Sequence, residues 1–211
     1  MRSPSPTCCT AGGERLNVRK AALLALALGL TACGGDNYGG GPIDPGSGKR
    51  PAVSFAKPLP RSLPATIKIP KLGVTAPVSE LGLQSNGRIQ EPPLTQPNLA
   101  GWWKNGPTPG EGGPSVILGH VDARGKRAVF HRLRDLRPGD RVQVTRRDGT
   151  TATFAVQKVE NVSKDSFPGE KIYAEDLDYA ALRLVTCGGT FDTTRGHYSD
   201  NVIAYARLVR A

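Results

Sequence analysis

The sequence predicts a mainly β domain, a closed antiparallel barrel with only short helices, over residues 62–211 of the 211-residue chain. Three observations predict it. Apolar residues recur in runs of strand length, with no sustained helical period. The runs are punctuated by turn residues, and Asp148-Gly149 between two of them is a strong hairpin signal. A segment of this size can build one good core, and closure into a barrel disposes of exposed strand edges.

The strands read in order. Thr66–Ile69 runs into Pro70, and Gly73–Val78 follows. Gly82–Ile89 carries the turn Ser85-Asn86-Gly87. Val116–Leu118 is a short apolar run ending at Gly119-His120. Arg141–Arg147 and Thr151–Val159 flank the Asp148-Gly149 turn, and Leu182–Thr186 and Val202–Val209 close the set. Helical material is confined to Val129–Leu136 and Asp176–Ala181. The acidic run Glu170–Asp178 has no calcium-loop spacing and reads as a solvated loop, so no metal and no cofactor is expected.

Upstream, Arg19-Lys20 followed by the apolar run Ala21–Leu30 and then Thr31-Ala32-Cys33-Gly34 forms a signal segment, residues 1–33. The apolar run is about half the length of roughly 20 residues that a membrane span needs. Its end resembles a bacterial lipobox, which makes Cys33 the expected lipidation site and the membrane a partner through an N-terminal lipid. Residues 1–17 stand outside this pattern, and translation is read as beginning at Val18 from a GTG codon. Residues 34–61, rich in Gly, Pro and Ser, read as a flexible spacer.

The formal net charge is +10, of which residues 1–33 carry +3 and the remainder +7. Such a balance suits an anionic envelope surface or nucleic acid. No recognition-helix signature, zinc spacing or aromatic-basic RNA motif supports the second, so no nucleic-acid partner is expected.

Of four cysteines, only Cys187 lies outside the leader. It follows the apolar run Leu182–Thr186 and precedes Gly188-Gly189, so one thiol stands at the lip of a strand beside the backbone amides of a glycine turn. Such a residue is either a buried bystander or a reactive nucleophile. A nucleophilic thiolate needs a nearby cation, an acid for the leaving amine and donors for the oxyanion. Of the three histidines, His120 ends a strand as Cys187 does. His131 lies in the cationic segment Phe130–Arg137, and His197 lies just after the cysteine.

The stretches Val116–Asp122 (VILGHVD), Thr186–Gly189 (TCGG) and Tyr198–Ile203 (YSDNVI) together resemble the sortases, most nearly the actinobacterial class E/F type. Ile69–Val74, Pro107–Gly110, Phe130–Val144 and the Asp148-Gly149 turn fit as well. The similarity spans Leu63–Leu208. It implies a β-barrel cysteine transpeptidase that cleaves a Leu-Pro-X-Thr-Gly-type sorting signal of exported proteins through a thioester. The acyl group would pass to an amine of a cell-wall precursor or a pilin, outside the cytoplasm and at the membrane. By motif, Cys187 is the nucleophile, His120 the general acid/base, and Thr186 a support for substrate or oxyanion geometry.

One departure stands out. Sortases carry an arginine at the start of the strand after the cysteine, and here those positions hold Ser199, Asp200 and Asn201. Arg207 is about 15–20 Å along that strand. Arg195, in the intervening loop, is taken as the catalytic arginine, with Arg124 and Arg127 as alternatives. The departure leaves a second reading, a catalytically weak or inactive β-barrel lipoprotein that binds or scaffolds. Neither the Ser-His-Gly-Cys stretch of L,D-transpeptidases nor the helix-borne cysteine of NlpC/P60 peptidases is present.

Overall fold

The computed structural model describes residues 53–194 and 196–210. The signal segment (1–33) with Cys33 and the start at Val18, the first part of the spacer (34–52) and Arg195 lie outside the described residues. Ten strands are present among the described residues: β1 (Pro64–Ile69), β2 (Val74–Leu81), β3 (Ala100–Trp103), β4 (Gly113–Leu118), β5 (Asp122–Ala123), β6 (Lys126–Arg127), β7 (Arg141–Arg146), β8 (Thr151–Ser163), β9 (Ala180–Asp192) and β10 (His197–Leu208). One short α-helix, α1, covers Gly169–Tyr173.

Eight strands close a barrel in the order β1-β2-β3-β4-β9-β10-β8-β7, while β5 and β6 form a separate small ribbon. The expected closed barrel is present and mostly antiparallel. Two of its junctions, β2 with β3 and β4 with β9, are parallel. The second junction decides the site: β4 and β9 run the same way, so the residues following each emerge at the same end of the barrel.

One cluster takes a buried residue from every barrel strand: Ile67, Val78, Trp102, Ile117, Val142, Phe154, Leu184 and Ala204 belong to it. It is the barrel interior. Each of its Val, Leu, Ile and Phe side chains contributes on the order of 1.5–3 kcal/mol by leaving water. Trp102 is fully buried, with its indole N–H donating to the Pro107 carbonyl at 2.9 Å. A second cluster covers the outer face of β4, β9 and β10: Val116, Leu118, Val185, Cys187, Ile203 and Tyr205, with Leu81 of β2 and Ile172 of α1. β4 is therefore buried on both faces, as is β9 as far as Cys187. That explains their unbroken apolar reading.

Several local expectations are corrected. Gly82–Ile89 is a turn closed by the Leu83–Ile89 bridge, not a strand. Val129–Leu136 has helical spacing, but its backbone is tied outward, Val129 N–H to Pro97 O at 2.8 Å and Phe130 N–H to His120 O at 3.0 Å. Only a 3-10 turn at Leu133–Asp135 forms. Asp176–Ala181 is not helical, because Ala180 and Ala181 pair with Gly113 and Pro114 of β4. The short helix α1 overlaps the start of the acidic run, where a loop is expected. Residues 53–61, assigned by composition to the spacer, lie on the barrel: Phe55 bridges Val209, and Leu59 N–H donates to Gly110 O at 2.7 Å. No helix among the described residues is long and apolar enough to cross a membrane.

Candidate active site

β4 and β9 pair in register from Gly113–Ala180 to Leu118–Val185. Gly119 extends the contact by donating its N–H to the Val185 carbonyl at 3.1 Å. His120 and Cys187 each stand two residues beyond the last paired couple, on neighbouring strands about 4.8 Å apart. The sequence predicts each on a strand lip; the parallel junction brings both to the same side of the paired stretch, with His120 just past the end of β4 and Cys187 within the longer β9.

Cys187 lies 2% exposed on the outer face, in line with Val185. Cys187 is disulfide-bonded, and the chemistry considered below is that of its reduced form. The strand does not stop at the glycines, as expected, but runs on to Asp192 as one arm of the β9–β10 hairpin. The register shifts between Tyr198 and Asp200, where Gly189 and Thr190 face the single residue Ser199. Gly189 has φ +75°, and Thr190 N–H donates to Ser199 Oγ at 3.1 Å. This is a bulge two residues beyond the candidate nucleophile, a position where bulges commonly re-aim side chains.

His120 is buried, and its Nε2 lies 2.6 Å from the Pro92 carbonyl. A carbonyl only accepts, so Nε2 carries a hydrogen and Nδ1 is left to exchange protons. The loop after His120 is pinned to the hairpin, because the Tyr198 hydroxyl donates to Asp122 Oδ2. Burial first, then Asp122, pushes the Tyr198 phenol up to about 12. His131 and His197 make backbone contacts elsewhere, to Val121 O and Tyr198 O respectively.

Thr186 does not share the face of Cys187. Strand alternation turns it to the interior side with Leu184, opposite Val202, away from the face that carries Cys187. Trp103 and Tyr173 do line that side, edge to face at 6.3 Å, with Phe167 against Tyr173. Farther along the same face, Arg183 pairs with Glu175 at 2.9 Å and sits over the Tyr205 ring, with Lys158 on that ring too. Burial and the Glu160 carboxylate hold the Tyr205 phenol well above its ordinary value.

Asn201 is the residue that sequence reasoning noticed only as an occupant of the expected arginine's place. It pairs directly across from Cys187 and is fully buried. Alternation along β10 (Asn201, Ile203, Tyr205) was the available signal. No group of metal-ligating side chains occurs among the described residues.

The Sortase domain family model matches residues 67–209. Among solved structures, sortase A from Corynebacterium diphtheriae aligns with a TM-score of 0.55 and 22% identity, over 72% of this chain and 62% of that one. The chain thus spans less than two thirds of that protein's length. A Clostridium perfringens sortase D5 transpeptidase aligns with a TM-score of 0.52 and 25% identity, over 70% and 79% of the two chains. Sortase C1 of Streptococcus agalactiae, in complex with MTSET, aligns with 0.54 and 16% identity, over 71% of each. No curated protein matches in sequence.

Proposed function

The chain belongs to the sortase family, and we propose that it is a cysteine transpeptidase in which Cys187 and His120 carry the chemistry. The observation that supports this most is the Leu118–Val185 parallel pairing, since both residues stand two positions beyond it on neighbouring chain segments. The thiolate of Cys187 attacks the scissile carbonyl carbon, forming a C–S bond while the π pair moves to oxygen. Collapse restores the carbonyl and breaks the C–N bond, and the departing amine takes the Nδ1 proton of His120. An acceptor amine returns a proton to Nδ1, attacks the thioester and releases the thiolate.

The apolar cluster around Cys187, with Leu81, Ile172 and Trp103 packed in or against it, supports apolar surroundings for the thiol and for the adjoining part of a sorting signal of the Leu-Pro-X-Thr-Gly type. The acyl acceptor is an envelope amine, from a cell-wall precursor or a pilin. The lipobox-like Leu30–Gly34 supports a lipid-tethered, extracytoplasmic location. Arg195, which follows Thr194 in the sequence, is the third member of the proposed catalytic set.

The test is to incubate the reduced full chain with a Leu-Pro-X-Thr-Gly peptide, with and without an amine, and seek a thioester on Cys187 by mass spectrometry. An adduct absent from Cys187→Ala and consumed by the amine is the expected result. Absence of any adduct, with Cys187 inert to alkylation, would favour the binding-lipoprotein reading, for which the Ser199-Asp200-Asn201 departure is the one supporting feature.

A further inference from the structure

Asn201 is fully buried, yet neither Oδ1 nor Nδ2 of its side chain has a hydrogen-bond partner. Buried amides are almost always paired, and an orphan of this kind calls for an explanation. Its position narrows the choice. Asn201 lies between Cys187 of β9 and Val162 of β8 in the antiparallel ladder. Val202, Ala204 and Ala206 point into the barrel interior, whereas Ile203 and Tyr205 belong to the outer cluster that contains Cys187. Asn201 shares the parity of the second set, so its amide stands on the face of the thiol, at cross-strand distance of about 4.5–5.5 Å between Cβ atoms.

We infer that the Asn201 side-chain amide is the oxyanion donor of the acyl-transfer reaction, its Nδ2–H aimed at the carbonyl oxygen of the scissile bond. The inference rests on the proposed role of Cys187. When the thiolate adds to the carbonyl, the displaced π pair resides on oxygen next to the sulfur, and a donor already buried there needs no reorganisation to meet it. A neutral amide can do what the missing cation at residues 199–201 would otherwise do. It also explains why the nearest side chain across from Cys187 is polar in an otherwise apolar cluster.

The experiment compares wild type, Asn201→Ala and Asn201→Asp in the reduced full chain, measuring three things. These are acylation by a Leu-Pro-X-Thr-Gly peptide, alkylation of Cys187 by iodoacetamide (a displacement that forms no oxyanion), and the melting temperature. The expected result for Asn201→Ala is a fall in kcat of about 10²–10³-fold with KM little changed, unaltered alkylation, and a melting temperature no lower than wild type. Asn201→Asp should be at least as slow, because its carboxylate repels the oxyanion. An Asn201→Ala variant as fast as wild type overturns the inference while leaving the transpeptidase intact. So does one that loses acylation, alkylation and melting temperature together, which marks a structural residue. A wild type that forms no Cys187-dependent acyl adduct overturns the transpeptidase reading itself, and this inference with it.

Discussion

The Tyr198 hydroxyl donates to the Asp122 carboxylate, joining two segments 76 residues apart in the chain. Asp122 lies two residues after His120, and Tyr198 lies on β10 just before Ser199, which faces the Gly189–Thr190 bulge. The bond therefore clasps the histidine loop to the hairpin that carries the cysteine.

The phenol gives this clasp a pH signature. Its value of about 12 stands above the ordinary 10, so the folded protein holds that proton more tightly than the unfolded chain. Stability from this group is fully present below pH 10 and is lost as the pH rises through about 12. Tyr198→Phe is expected to shed this part of the alkaline destabilisation, leaving the part due to Tyr205. Ultraviolet titration of the two proteins, paired with urea melts across that window, checks it.

Replacing His120 separates proton transfer from nucleophile placement. His120→Gln keeps a polar side chain that can reach the Pro92 carbonyl but cannot exchange a proton near neutrality. Loss of one general acid/base is commonly about 10²–10⁴-fold, and acyl transfer is expected to fall within that range. Single-turnover acylation should show the loss in the chemical step, with peptide binding retained.

Gly119 marks where β4 hands over to the histidine. A Cβ there would lie 2.5 Å from Phe130 Cδ2 and 2.6 Å from Val129 Cγ1, both on buried side chains that cannot withdraw. Gly119→Ala is expected to destabilise the fold by about 1–3 kcal/mol. Because the shift is felt at the Val185 hydrogen bond and at His120, acyl transfer should drop as well. Urea unfolding and peptide kinetics on the same preparation would show both.

The barrel was legible because its strands announce themselves by short apolar runs and by turns such as Asp148-Gly149. Lone residues His120 and Cys187 were also legible, each at the end of an apolar run. What joins them was not. The Leu118–Val185 register depends on a parallel junction between strands more than sixty residues apart, and no local pattern encodes that. Val129–Leu136 misled in the opposite direction: its apolar spacing is genuine, but its N–H groups go to Pro97 and His120 rather than to a helical turn. Asn201 was hidden because a single amide in a polar stretch, Ser199-Asp200-Asn201, reads as solvated. Only the register of β10 shows it buried across from Cys187.

The bulge should prove as important to the site as the cysteine's own strand. Gly189 has φ +75°, a region that disfavours any residue with a Cβ. The space is closed too: a Cβ would fall 2.2 Å from Ser199 Oγ and 2.6 Å from Asp200 Oδ2. Gly189→Ala therefore strains the bulge backbone and turns the Ser199 hydroxyl and the Asp200 carboxylate aside, removing the Thr190–Ser199 hydrogen bond where β10 leads into Asn201, and is expected to disturb the Asn201–Cys187 spacing. The barrel interior lies on the other face of these strands, so the stability loss is expected to be modest, about 1–3 kcal/mol. The acyl-transfer rate is expected to fall further than the melting temperature indicates, while alkylation of Cys187 by iodoacetamide keeps its wild-type rate. A variant whose acyl transfer matched wild type despite a lowered melting temperature would show that the Asn201–Cys187 spacing is irrelevant to turnover.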